Sequence, residues 1–326
     1  MIAVLLIISA IIALQSSFVQ TRIADQVLST LESHIDGTVS IGKIHFDPFK
    51  ALVIRDISII DRTPYIDSAS HVAHMSHIDG TPLADSAVAA PVDTMFHAEY
   101  VTASFSLKDL ISGFPTRLKS VEVTGGWFTL TLEPYEEGEI PPFNLRRIFR
   151  LVPKDGKKSR SKKEIFHISG VSLEDMAFRL YNYRKRIDKE FPEGSIDWTD
   201  LEIEDISLSG HNLRMKGPVM YGVCDHLSFR EKSGYTCSNI SGSVRAGDGS
   251  VLVAGLTLQD GMSDLSIPSF EMTYADSDAW SEFITEVRMK ADISESIVSM
   301  ESLGYFAPSL KKFSMTASVE GEMEGY

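Results

Sequence analysis

Residues 121–132 read VEVTGGWFTLTL, and residues 171–180, fifty positions on, read VSLEDMAFRL. Both fit one pattern, V-x-[VL]-x4-F-x-L, in which apolar and polar residues alternate on either side of a short interruption. Alternation of period two is the mark of a strand with one dry and one wet face. A second echo links LVIRDISI at 52–59 to LEIEDISL at 201–208, identical at five of eight positions. Echoes of this kind predict a repeated unit that stacks to extend a single sheet.

Outward from these stretches the same texture recurs. Residues 39–46, 251–258, 267–274, 287–293 and 313–319 also alternate and read as strands, half-dry in the manner of antiparallel or solenoid sheets. Short helical patterns interrupt them at 107–112, 143–152, 278–287 and 296–305, with Asp278 placed as an N-cap of the third. Residues 65–98 are rich in Ser, Ala, Asp and His without periodicity and read as a loop. Residues 154–164 (KDGKKSRSKKE) hold six basic residues and read as a solvated connector, with contact to anionic lipid head groups as the alternative. Gly125-Gly126 and Gly247-Asp248-Gly249 sit between apolar alternations, where glycine supplies a bulge or a tight turn.

The N-terminus has a different character. Residues 2–14 are apolar apart from Ser9, and Phe18 and Val19 extend the run. A helix from 2 to 19 rises about 27 Å, close to a hydrocarbon core of about 30 Å. The run alone is short enough for the apolar region of a secretory signal. Two features favour a retained anchor. No small-x-small cleavage site follows, and the run continues into a helical spacing of Val19, Ile23, Val27, Leu31 and Ile35, stopped by Gly37. No Lys or Arg precedes it and Arg22 follows it, so the flanking charges do not set an orientation.

Composition excludes some function classes. A net charge of −14 over 326 residues argues against a nucleic-acid partner, whose phosphates need a basic counterface. Cys224 and Cys237 are the only cysteines, too few for a disulfide scaffold or a four-cysteine zinc site. In an oxidising compartment they are candidates for a cross-strand pair; otherwise they are two small buried hydrophobes. His71, His74 and His77, followed by Asp79, have helical spacing, but they lie in loop-like text without the glutamate of a H-E-x-x-H site. No nucleophile elbow, phosphate-binding loop or dinucleotide fingerprint occurs. Paired acids such as Glu202 and Glu204 fall on the wet side of their strand. The expectation is a protein that is not an enzyme, with no catalytic residue, metal or cofactor.

Several stretches, taken in order, resemble a known family. They are LQSSFVQTRIADQVLSTL beginning at Leu14, VSIGKIHFDPFKALVIRDISIID at Val39, DTMFHAEYVTASFSLKDLISG at Asp93 and LKSVEVTGGWFTLTLE at Leu118. FRLYNYRK, LEIEDISLSG, LSFREKSGY and SLGYFAPSLKK follow. Their order and spacing are similar to the N-terminal part of the AsmA-like proteins, in particular the TamB branch of Bacteroidetes-type bacteria. The resemblance spans nearly the whole chain, apart from 67–92 and the basic connector.

It implies a mainly β fold with short helices. An N-terminal membrane helix would be followed by a curved, open antiparallel or solenoid sheet, a β-taco groove. The divisions then expected are an anchor and amphipathic helix at 1–36 and a first β segment at 37–153. A basic linker at 154–164 and a second β-rich segment at 165–326, continuing the groove, would follow. Family members are longer, so Tyr326 is expected to be a fragment boundary.

The implied setting is the inner membrane, crossed once, with the bulk in the periplasm of a Gram-negative bacterium. The implied function is phospholipid transport between inner and outer membrane. The alternative is outer-membrane protein assembly with a barrel partner. A groove lining read from alternation would include Val121, Val123, Phe128, Leu130, Leu132, Phe178, Leu180, Ile206 and Leu208. A register slip of one residue would turn each to the other face.

Overall fold

The computed structural model describes residues 35–47, 51–61, 94–106, 117–132, 144, 148, 164–182, 192–247, 249–275 and 283–325. Twelve strands make one open sheet, ordered as in the chain. They are β1 (Gly37–Asp47), β2 (Ala51–Asp61), β3 (Thr94–Ser104), β4 (Arg117–Leu132), β5 (Glu164–Asn182) and β6 (Asp200–Lys216). Then come β7 (Val219–Glu231), β8 (Thr236–Gly247), β9 (Ser250–Gln259), β10 (Asp264–Thr273), β11 (Arg288–Ser299) and β12 (Thr316–Gly325). Every neighbouring pair is antiparallel except β4 and β5, which run parallel. Two short helices, α1 (Phe283–Glu286) and α2 (Met300–Phe306), and a 3-10 turn at Pro308–Leu310 accompany the last strands.

The parallel junction explains the fifty-residue echo. Val121 pairs with Val171, Val123 with Leu173, Phe128 with Phe178 and Leu130 with Leu180. The repeated pattern is therefore two adjacent strands in step, matching residue for residue.

The interruptions within the patterns have a common cause. Asp56, Gly125, Asp175, Asp205 and Gly255 all take left-handed backbone angles, φ between 53° and 63°. Asp tolerates that region better than most side chains, and Gly without cost. A left-handed residue resets a strand's alternation. Apolar residues an odd number of positions apart then share a face, as Ile54 and Ile57 do in one core cluster with Val123 and Met176.

That cluster runs through Val39, Leu52, Ile54, Ile57, Ile59, Met95, Ala98, Val123 and Met176, and takes in Ile35 and Ile148 from outside the sheet. Asp36 donates its N–H to the Ile148 carbonyl at 2.6 Å, and Asn144 bonds to β4 through Thr129 and Thr131. A second cluster gathers Ile196, Leu201, Tyr235 and Cys237, with Tyr305 of α2 packed on it. The strand ends that carry Gly37, Asn182, Asp200, Glu231 and Ser299 are hereafter the capped end; the second cluster occupies it, and the first extends from it along β1 to β3 as far as Leu52.

Three expectations change in detail. The helix expected at 296–305 begins only at Met300, because β11 runs through Ser299. The one expected at 278–287 is described as the single turn α1, and Asp278 lies outside the described residues. Strands β3, β7 and β8 are additions to those foreseen, and β3 begins at Thr94, inside the stretch 65–98 expected to be a loop. The helix expected at 107–112, the histidine cluster, the basic connector and the apolar run at 2–19 all lie outside the described residues. Among the described residues no helix is long and apolar enough to cross a membrane.

Candidate functional site: the apolar face of the sheet

Register alone assembles the site. Ile44 pairs with Ile54, Ile54 with Val101, Val101 with Val123 and Val123 with Leu173. The row continues through Leu208, Leu227, Ile240, Leu258 and Leu265. Ten strands thus contribute ten aliphatic side chains without a polar break. At about 4.8 Å between strands, nine steps make a row roughly 43 Å long.

A second row lies nearer the capped end: Val39, Ile59, Phe96, Phe128, Phe178 and Ile203. The rings of Phe128 and Phe178 stack at 6.0 Å between centroids. Glu231 closes this row opposite Ile203. It is 2% exposed, and its Oε2 accepts the Ser233 N–H at 2.8 Å, so the carboxylate caps the hairpin between β7 and β8. Tyr235 completes an aromatic group with Phe229, Tyr305 and Phe306, the last with its ring centroid 5.1 Å from that of Tyr235.

The opposite face carries the charge. Arg179 pairs with Glu202 at 3.2 Å, Arg230 with Asp205 at 2.9 Å and Glu204 at 3.3 Å, and Lys232 with Asp200 at 2.9 Å. Glu202 and Glu204 are thus held on the wet side by arginines. Among the described residues no group of three His, Cys, Asp or Glu side chains is placed to hold a metal ion. The two thiols are free. Register explains why: Cys224 sits opposite Gly242, and Cys237 opposite Phe229. Their sulfurs turn instead to the carbonyls of Ile240 and of Asn239 and Gln259. Burial pushes the Cys237 thiol up to about 11, and raises Cys224 and Tyr235 as well.

The nine residues picked from alternation take these places. Val121, Val123, Phe128 and Ile206 belong to or pack on the first core cluster, and Phe178 and Leu180 pack on the second. Leu208 stands in the ten-strand row, Leu130 beside Leu180, and Leu132 opposite Asn182 at the capped end. Alternation did not single out Leu227, Ile240 and Leu265, which the row needs. In β7 the register shift between Cys224 and Leu227 breaks the period. In β8 the signal is diluted by Ser and Gly.

No model of a known protein family matches this chain, and no curated protein matches it significantly.

Proposed function

We propose that this protein is a membrane-anchored surface for phospholipid acyl chains, working in the cell envelope between inner and outer membrane. The observation that carries the reading is the unbroken aliphatic row from Ile44 to Leu265 across ten strands. Left-handed and bulged residues in the middle of successive strands bend a sheet, which supports a trough, a β-taco, over a flat layer. Moving a 16-carbon tail through water costs roughly 12 kcal/mol, at about 0.8 kcal/mol per methylene. A continuous apolar trough lowers that cost and asks no bond-making of the protein. The anchor is the apolar run at 2–19.

The test is photocrosslinking in the full chain, in cells, from a benzophenone side chain at Leu173, Leu208 or Leu258. Phospholipid adducts are expected from all three and not from Leu252 on the opposite face. Absence of lipid adducts from every row position would overturn the reading.

A second reading, assembly of outer-membrane proteins with a barrel partner, draws on the sheet being open: among the described residues β12 pairs on one side only, with β11. Barrel proteins crosslinked to Thr316–Gly325 with no lipid on the row would favour it.

A further inference from the structure

From β5 to β10 the apolar face has two unlike halves. Toward the capped end it holds buried side chains: Met176 is 5% exposed, Leu201 9% and Cys237 2%. Ile35, Ile148, Ile196 and Tyr305, all from outside the sheet, pack there. Toward the other strand ends, across β5 to β10, two more apolar rows run side by side. One passes through Ile168, Leu213, Val244, Val253 and Phe270, with Gly222 between Leu213 and Val244. The other passes through Phe166, Met215, Met220, Ala246, Val251 and Met272. Asn212, with φ 56°, resets β6 so that Leu213 and Met215 share the face of Leu208. None of these side chains is buried, and Met220 is 41% exposed. The rows close at β11, where Ala291 opposite Phe270 is buried.

The back of the same strands is polar. Behind these rows His167, Arg214, Tyr221, Arg245, Leu252 and Glu271 pair in sequence. Arg214 lies over the Tyr221 ring at 4.9 Å. The exposure of the apolar rows is therefore a property of one face.

We infer that the acyl chains sit on this half, where none of the row side chains is buried, between the Leu213–Phe270 and Met215–Met272 rows, and not on the Phe128–Phe178 half. The inference rests on the acyl-chain reading above and names its seat. Three features fit a lipid tail. Five strand-to-strand steps span about 24 Å, longer than the roughly 15 Å that one leaflet's tails occupy. Neither row presents a hydrogen-bonding side chain. Methionine, three times in one row, is flexible and polarizable, and suits a ligand of no fixed shape better than a complementary protein core.

The test compares benzophenone side chains in the full chain, in cells, at Leu213, Val253 and Met272 with Phe178 and Leu180. Lipid adducts at least fivefold more abundant from the first three are expected. In the same chain, Val253→Asp should lower co-purified phospholipid at least fivefold with an unchanged thermal midpoint. Val253→Met should retain it; if the aspartate variant does not fold, Val253→Ser takes its place. Adducts of equal yield from both halves, or mainly from Phe178 and Leu180, would overturn this seat and leave the acyl-chain reading standing. No adduct from either half would remove both.

Discussion

Phe128 and Phe178 face each other across the parallel junction of β4 and β5, their rings stacked at 6.0 Å. They join the two core clusters, since Phe128 packs on the first and Phe178 on the second. Truncating a buried Phe to Ala costs about 3–5 kcal/mol. These two are half-buried, so about 2 kcal/mol each is expected for F128A and F178A. Because they touch, the double variant should lose less than the sum, by about 0.5 kcal/mol or more. Urea denaturation of the four forms measures it; strict additivity would mean the rings contribute independently.

Gly126 and Gly255 both have positive φ, yet they should respond differently to alanine. At Gly126, φ is 157° and an added Cβ would lie 2.1 Å from the His97 carbonyl oxygen. At Gly255, φ is 62° and nothing lies within 4 Å. G255A should cost only the left-handed backbone penalty, about 1–2 kcal/mol. G126A must also push β3 and β4 apart and should cost about 3 kcal/mol or more. Equal denaturation midpoints for the two variants would contradict the pairing of Ala98 with Gly126.

Asp205 does two things at once. Its φ of 53° resets β6, and its carboxylate meets Arg230 at 2.9 Å on the exposed face. Exposed pairs are worth at most about 1 kcal/mol. D205N keeps a residue that accepts left-handed geometry and should cost less than about 1 kcal/mol. D205V should lose about 1–2 kcal/mol more, through the backbone. If urea denaturation found the two variants equally destabilised, the ion pair would outweigh the backbone geometry at this position.

The thiols give a pH signature. The folded Cys237 titrates near 11, above its ordinary value of 9.0, chiefly because burial disfavours the thiolate. Its folded value is raised, so its contribution to stability is complete below pH 9. That contribution is lost as the pH climbs toward 11, where the unfolded chain gives up its proton first. Stability should therefore fall between pH 9 and 11, and less steeply in C237A. Alkylation of both cysteines at pH 8 should be slow in the native protein and rapid in urea. Rapid native alkylation would show that the β7–β8 hairpin opens readily.

Much of the sheet was legible in the sequence. The dry and wet faces of β2, β4, β5 and β6 follow from alternation, and the echoes pointed to strands that extend one sheet; that the fifty-residue echo joins two adjacent strands in step comes from the register. The apolar lining was legible where hydrophobic residues are dense, as at Val123 and Phe178. It was obscure where a register shift breaks the period. Phe96 pairs with Ile59 but Thr94 with Ile60, so Met95 is an extra residue and β3 reads as unpatterned text. Asn212 and the shift after Cys224 hide Leu213 and Met220 in the same way. What covers the capped end was beyond reach, because Ile196 and Tyr305 meet only through tertiary packing.

The strands follow one another in space as they do along the chain, and each pairs only with its immediate neighbours. Among the described strands none is threaded between two distant ones. An antiparallel hairpin such as β9–β10 could be removed or duplicated, and the strands on either side would still present the directions needed to pair. Each such change would alter the apolar row by about 10 Å. The architecture works as a ruler: the width of the sheet is counted in hairpins and is adjustable in steps without redesigning the cross-section.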